Sequence, residues 1–345
     1  MDSQAATRAW METLSSEELA LARDYTTGNH WLILVGLAVS ALITWIIVRS
    51  GVLDKVYEKL EKRGWALRTW LVAAVYLLVS GLLTLPLTLY QGWWRETQYE
   101  RTSQPLGDFL GQLALSSTIS VVFASVLLLA VYWLLRKAGR AWWLWGGGLV
   151  AGFTALMLLI APPLIEPLFN EFEPIPEGEV REAVLALAAD ADVPPDRVFM
   201  YDGSRQSNNF TANVAGVGGS ARIAISDVAM GEASLDEVLA VTGHEIGHYV
   251  LGHVWRLVGV ISVLVIIAFW LTEKLYPWFA RRFGTEAPLE DIRGIPVFLF
   301  VAGLLIQLAQ PALYSVIRTG EREADAYSLE HVGLPDALAG ALVKT

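Results

Sequence analysis

Six long apolar stretches constrain this chain more than any other feature: Trp31–Val48, Thr69–Tyr90, Phe109–Leu135, Trp142–Ala161, Leu257–Leu275 and Ile295–Ile317. A bilayer core about 30 Å thick is crossed by about 20 helical residues, so each stretch is long enough to span it. In hydrocarbon every backbone N–H and C=O must find its partner within the segment, which makes these stretches helices. Hydrophobic residues make up 54% of the chain and charged residues 17%, against roughly 25% charged in soluble domains. Trp and Tyr gather at span ends, as at Trp93-Trp94, Trp142-Trp143 and Tyr276/Trp278, where amphipathic rings meet the membrane interface. The expected fold class is therefore mainly α: a polytopic membrane helical bundle with six clear spans. The lipid bilayer is its first partner.

The same features exclude several functions. A net charge of −10 argues against a nucleic-acid partner, whose phosphates require a basic face. With no Cys there is no disulfide framework, no thiol nucleophile and no thiolate metal ligand. The spans carry Gln112, Gln307 and Gln310 but no charge away from their ends, which argues against a proton-coupled transporter. The first 30 residues are polar and acidic (Glu12, Glu17, Glu18, Asp24), without the basic start and apolar core of a cleaved signal peptide.

One non-membrane insertion separates the fourth and fifth spans, from about Glu166 to Ala240. A Pro-rich entry (Pro162, Pro163, Pro167, Pro174, Pro176) cannot continue a helix. Glu177–Ala191 then reads as an amphipathic helix, Arg197–Tyr201 and Arg222–Ser226 as short strands, and Asn209–Ala215 as a third strand. Gly216, Gly218 and Gly219 suit a tight turn. A further helix is predicted from Asp236, with Ser234 as N-cap and Glu237 completing a capping box. Basic residues concentrate in the loops after the first, third and fifth spans (Arg49, Lys55, Lys59, Arg136, Arg140, Arg281, Arg293). By the positive-inside rule those loops are cytoplasmic, and the insertion faces outside.

The chemistry resides in His244-Glu245-Ile246-Gly247-His248. Two His at i and i+4 on a helix project from one face and can hold one zinc ion. The Glu between them can act as general base towards a metal-activated water. The chain has only five His, so their concentration here is not expected from composition. A catalytic zinc needs a third protein ligand and an open fourth position. His253 fails by spacing, because nine residues of unbroken helix put it on the face opposite His244; a supporting or interfacial role suits it better. Glu321 and Asp325 share a face one turn apart. Glu321 would bind zinc, and Asp325 could accept the outer N–H of a ligating His. By itself this segment also reads as a solvated acidic helix following a span.

Together, Glu166-Pro167-Leu168-Phe169-Asn170, Pro174-Ile175-Pro176-Glu177-Gly178, His244–His248 with Gly252-His253, and Glu321–Asp325 resemble the type I CAAX prenyl proteases of peptidase family M48. The resemblance runs from about the second span to residue 330. It implies an integral-membrane metalloprotease holding one Zn2+ through His244, His248 and Glu321, with Glu245 as base. It also implies a catalytic role for Asp325, which matches the acidic residue that follows the third ligand. The implied fold encloses a chamber walled by membrane helices and capped by a small α+β zincin-like insertion, with a seventh span if the zinc helix is counted. Asn213, Val214, Ala215 and Gly216 resemble the family strand beside the zinc, where an exposed edge would pair with substrate backbone. They read equally as an ordinary strand and turn.

The expected organisation is a polar segment over 1–30, four spans over 31–163 and the insertion over 164–254. Two more spans follow over 255–318, and a ligand-bearing helix with a short tail over 319–345. The expected function is zinc-dependent endopeptidase action on peptides or proteins, including lipidated or membrane-associated ones. For a bacterial source the site of action is the inner membrane. A catalytically inactive zinc-stabilised scaffold or chaperone is the alternative; an intact Glu245 argues against it, because a structural zinc needs no base.

Overall fold

The computed structural model describes residues 14–191, 193–216 and 221–344. Among them, six helices are long and apolar enough to cross a membrane. The first, α1 (Ser16–Ser50), starts at a capping box in which Ser15 and Glu18 satisfy each other's backbone N–H groups, and it ends at Gly51 in the left-handed region. It thus begins inside the polar segment, well before the apolar run at Trp31. A short helix, α2 (Val52–Lys59), leads to α3 (Trp65–Leu89). That helix carries Pro86 and continues through a π turn at Tyr90–Trp94 to Gln98. Next come α4 (Leu106–Lys137) and α5 (Trp142–Ile160). Pro162 and Pro163 follow α5 directly, in a π turn that leads out of the bundle.

Among the described residues, the insertion holds a four-stranded sheet and three α-helices. The strands are β1 (Phe172–Pro174), β2 (Val198–Tyr201), β3 (Ala212–Ala215) and β4 (Arg222–Ser226). Their order is β1-β2-β4-β3, with β2 and β4 parallel and the other two pairs antiparallel. Strand β4 is buried along its whole length. Ile223 and Ile225 share a core with Val184 and Ala188 of α6 (Glu179–Asp190), Val198 and Phe210. A short helix, α7 (Asp227–Glu232), is capped by Ser226 and leads to α8 (Leu235–Val250). The predicted capping box of Ser234 and Glu237 opens α8. The turn expected at Gly218 and Gly219 lies outside the described residues.

Helix α9 (His253–Phe283) returns through the bundle, and α10 (Ile295–His331) crosses back before α11 (Pro335–Lys344). At 37 residues, α10 is about 55 Å long. It is the central pillar: 50% of its most apolar window is buried, against no more than 22% for any other span. The division expected near residue 318 falls inside this unbroken helix, so the last span and the Glu321–Asp325 segment are one rigid element. The fold class is as expected, a polytopic helical bundle with a small α+β insertion. Six spans account for it. Helix α8, at 16 residues, is shorter than the roughly 20 needed to cross, and it packs on α6, β3, α10 and α11 instead.

The insertion is fastened to the bundle by polar contacts. Arg205 donates to Asp108 at 2.6 Å, Asn208 N–H donates to the carbonyl of Arg101 at 2.9 Å, and the Thr102 hydroxyl donates to the carbonyl of Gln206 at 2.7 Å. At the opposite end the basic loops meet. Arg293 reaches Asp54, the Arg136 guanidinium lies over Trp65, and Arg49 packs against Gly284.

Candidate metal centre

The site forms where α8 meets α10. Ile246 is buried in the insertion core, which fixes the roll of α8, and His244 and His248 reach Glu321 and Asp325 of α10. On α10, Ser328 donates to the carbonyl of Ala240 at 2.7 Å across the contact. Gly247 permits the close approach, since a Cβ there would stand 3.1 Å from the Cα of Ala324.

This packing brings together His244, His248 and Glu321. Their ligand atoms lie within 4.8 Å of one another, and they form a group able to hold a metal ion. The two Nε2 atoms are 3.0 Å apart, and Glu321 Oε2 lies 3.3 Å from that of His244 and 3.6 Å from that of His248. The outer nitrogen of His244, Nδ1, meets Asp325 Oδ1 at 2.8 Å. His244 is buried, whereas Glu321 is exposed. Burial pushes the Glu245 carboxyl up to about 7, with His244 opposing the rise and Glu321 adding to it. Burial, reinforced by His244, lowers the proton affinity of His248 below the usual imidazole range, which favours the neutral ring a metal requires.

Beside His248 opens a cavity of about 350 Å³, walled by Thr154, Met157 and Leu158 of α5, Trp255 of α9, and Val214 to Gly216. Of the segment Asn213–Gly216, the first three residues belong to β3, one of the two edge strands. Gly216 follows with φ of 96°. This segment therefore lies along the sheet edge nearest α8, between the sheet and the membrane helix α5.

His253 stays outside the ligand group, but not because it lies on the opposite face. The helix breaks at Gly252, whose φ of 66° is left-handed, so counting 100° per residue from His244 does not carry across it. His253 folds back onto His248, with 2.8 Å between their Nδ1 atoms. Two further features went unread. Strand β1 has only three residues, one of them Pro174, and sits on a sheet edge where a missing N–H is tolerated. Arg222 is ion-paired to Glu166 and lies over the Phe172 ring, which ties the segment after α5 to the sheet. Asn170 serves the same end through Asp202 Oδ1 at 3.1 Å.

Two family models match end to end. The CAAX prenyl protease N-terminal model, described as five membrane helices, covers residues 3–171, and the peptidase family M48 model covers residues 174–345. The chain belongs to peptidase family M48. Four of its membrane helices lie among the described residues of the N-terminal match. Its relatives include the metalloprotease YhfN of Bacillus subtilis, 29% identical over 324 residues, covering 92% of this chain and 75% of the relative. The CAAX prenyl protease 1 homolog of Arabidopsis thaliana is 27% identical over 346 residues, covering 96% of this chain and 80% of the relative. The fold resembles the crystal structure of S. mikatae Ste24p with a TM-score of 0.76 at 21% identity, covering 96% of this chain and 82% of that one. This M48 chain is thus an integral, multi-pass membrane metalloprotease by family, acting on peptide or protein substrates.

Proposed function

We propose that the chain is a zinc-dependent endopeptidase whose metal is held by His244, His248 and Glu321. The observation that carries this reading is the spacing of three convergent ligand atoms. Ligands about 2.0–2.2 Å from a tetrahedral zinc stand about 3.3–3.6 Å apart, and the three separations here run from 3.0 to 3.6 Å. Two imidazoles and a carboxylate are also the donor set that suits a catalytic zinc with one position open. Bound zinc would supply Lewis acidity, polarising the scissile carbonyl and making water a competent nucleophile near neutral pH.

Glu245 is the proton carrier. Its raised proton affinity suits a base working near pH 7. It takes a proton from the attacking water as the water oxygen bonds to the carbonyl carbon, and it returns that proton to the amine as the C–N bond breaks. Asp325 accepts the Nδ1–H of His244, which keeps the Nε2 lone pair free for the metal. The outer edge of β3, Asn213 to Gly216, receives the extended substrate backbone as an added strand. The cavity next to His248 takes an apolar side chain of the substrate. The substrate class includes lipidated chain ends, a reading supported by the relatives named as CAAX prenyl proteases. The basic loops gathered at the end away from the insertion support an orientation with the insertion outside and those loops in the cytoplasm.

The test is hydrolysis of an unstructured peptide panel by detergent-purified protein. Cleavage should stop when zinc is removed with a chelator and resume when it is restored. Undiminished cleavage by zinc-free protein would overturn the reading.

A further inference from the structure

The two imidazoles of the HEIGH helix are supported differently. His244 is backed directly by a carboxylate, that of Asp325. Among the described residues, the outer nitrogen of His248 meets no carboxylate but the ring of His253, Nδ1 to Nδ1 at 2.8 Å. The far nitrogen of His253 meets Glu323 Oε2 at 2.9 Å, and the same oxygen accepts from Arg256 at 2.7 Å. These contacts form a line running from α8 to α9 and on to α10.

We infer that His253, Glu323 and Arg256 form a relay that fixes the orientation and tautomer of His248, making them positioning residues for the proposed zinc site. The argument is one of donor order. An ionised carboxylate only accepts, so Glu323 requires the proton of His253 to sit on Nε2. The neutral ring then offers a bare Nδ1, which can only accept, and it draws the Nδ1–H of His248. His248 is left with its lone pair on Nε2, the atom facing Glu321 and His244. The reverse order would place a proton on the nitrogen that must bind metal. Arg256 holds the carboxylate in place and satisfies its charge. Gly252 makes the arrangement possible, since an unbroken helix would carry His253 away from His248. His253 is buried, so water cannot readily replace it.

This inference rests on the proposed zinc site, and zinc affinity tests the two separately. Equilibrium zinc affinity would be measured by competition with a chelating dye for the wild type, His253→Phe, His253→Gln and Glu323→Leu. Cobalt absorption spectra and metal-free unfolding temperatures would accompany it. Losing such outer support typically weakens metal binding by about 10- to 100-fold, and His253→Phe and Glu323→Leu should fall in that range with an altered cobalt spectrum. Gln at 253 can accept from His248 with its carbonyl and donate to Glu323 with its amide, so His253→Gln should restore affinity and spectrum to near wild type. A relay without effect would be revealed by equal affinities for all four proteins, and a merely space-filling ring by His253→Phe outperforming His253→Gln. Either result overturns the relay and leaves the zinc site standing. Failure of the wild type itself to bind one zinc would overturn both.

Discussion

Gly247 of α8 lies so close to α10 that a Cβ on it would stand 3.1 Å from the Cα of Ala324. The Cβ of Tyr327 would stand closer still, at 3.0 Å, and because both atoms are held by the backbone of α10 the contact relaxes chiefly by moving one helix away from the other. Both proposed His ligands are on α8 and the carboxylate is on α10, so this contact sets the reach of Glu321. Helix propensity alone favours Ala over Gly by about 1 kcal/mol, whereas overpacking a tight contact costs about 1–3 kcal/mol. Gly247→Ala is therefore expected to be destabilised in thermal unfolding and to bind zinc several-fold more weakly. Equal zinc affinity together with a higher unfolding temperature would show that the helices do not limit each other at this point.

Glu245 should leave a proton signature on metal binding. Without metal its carboxyl titrates near 7 because it is buried. A cation nearby favours the ionised form and lowers that value. At pH 6.5 the carboxyl is then mostly protonated before zinc enters and ionised after, so binding releases a proton; at pH 8.5 it is ionised in both states. Zinc titration calorimetry in buffers of different ionisation enthalpy should show more proton release for wild type than for Glu245→Gln at pH 6.5, with the difference vanishing at pH 8.5.

The cavity beside His248 should govern substrate choice. Thr154→Trp fills it from the α5 side. Peptides with a bulky apolar residue next to the scissile bond should lose about tenfold or more in kcat/KM, while peptides with Ala there change little. An equal loss for both would mean that the cavity is not a side-chain pocket.

Topology is directly accessible because the chain has no native Cys. Single cysteines at Glu58, on α2, and at Glu177, in the insertion, are both at exposed positions. In intact cells a membrane-impermeant maleimide should label the cysteine at 177 and spare that at 58. The opposite pattern would place the insertion in the cytoplasm.

Much of this molecule could be read from local sequence because local interactions decide it. The spans follow from apolar length. The start of α8 follows from Ser234 and Glu237, which satisfy each other within one turn. The pairing of His244 with His248 follows from helical periodicity. Features that depend on distant partners were not legible. Arg205 finds Asp108 across 97 residues, and no local pattern announces the pair. Strand β1 exists because β2 is there to pair with it. The placement of His253 against His248 was hidden by one left-handed glycine, which voids the periodicity that puts it on the opposite face. The continuity of α10 past Ile317 was hidden because hydropathy marks where a helix leaves the membrane and not where it ends.

The proposed chemistry turns on Glu245, and one substitution separates metal binding from turnover. Glu245→Gln keeps the size of the side chain and the three proposed ligands but cannot accept the water's proton. The purified variant is expected to retain about one zinc per chain while its peptide hydrolysis falls by about a hundredfold or more beside wild type. Hydrolysis at the wild-type rate by zinc-loaded Glu245→Gln would contradict the assignment of Glu245 as the base.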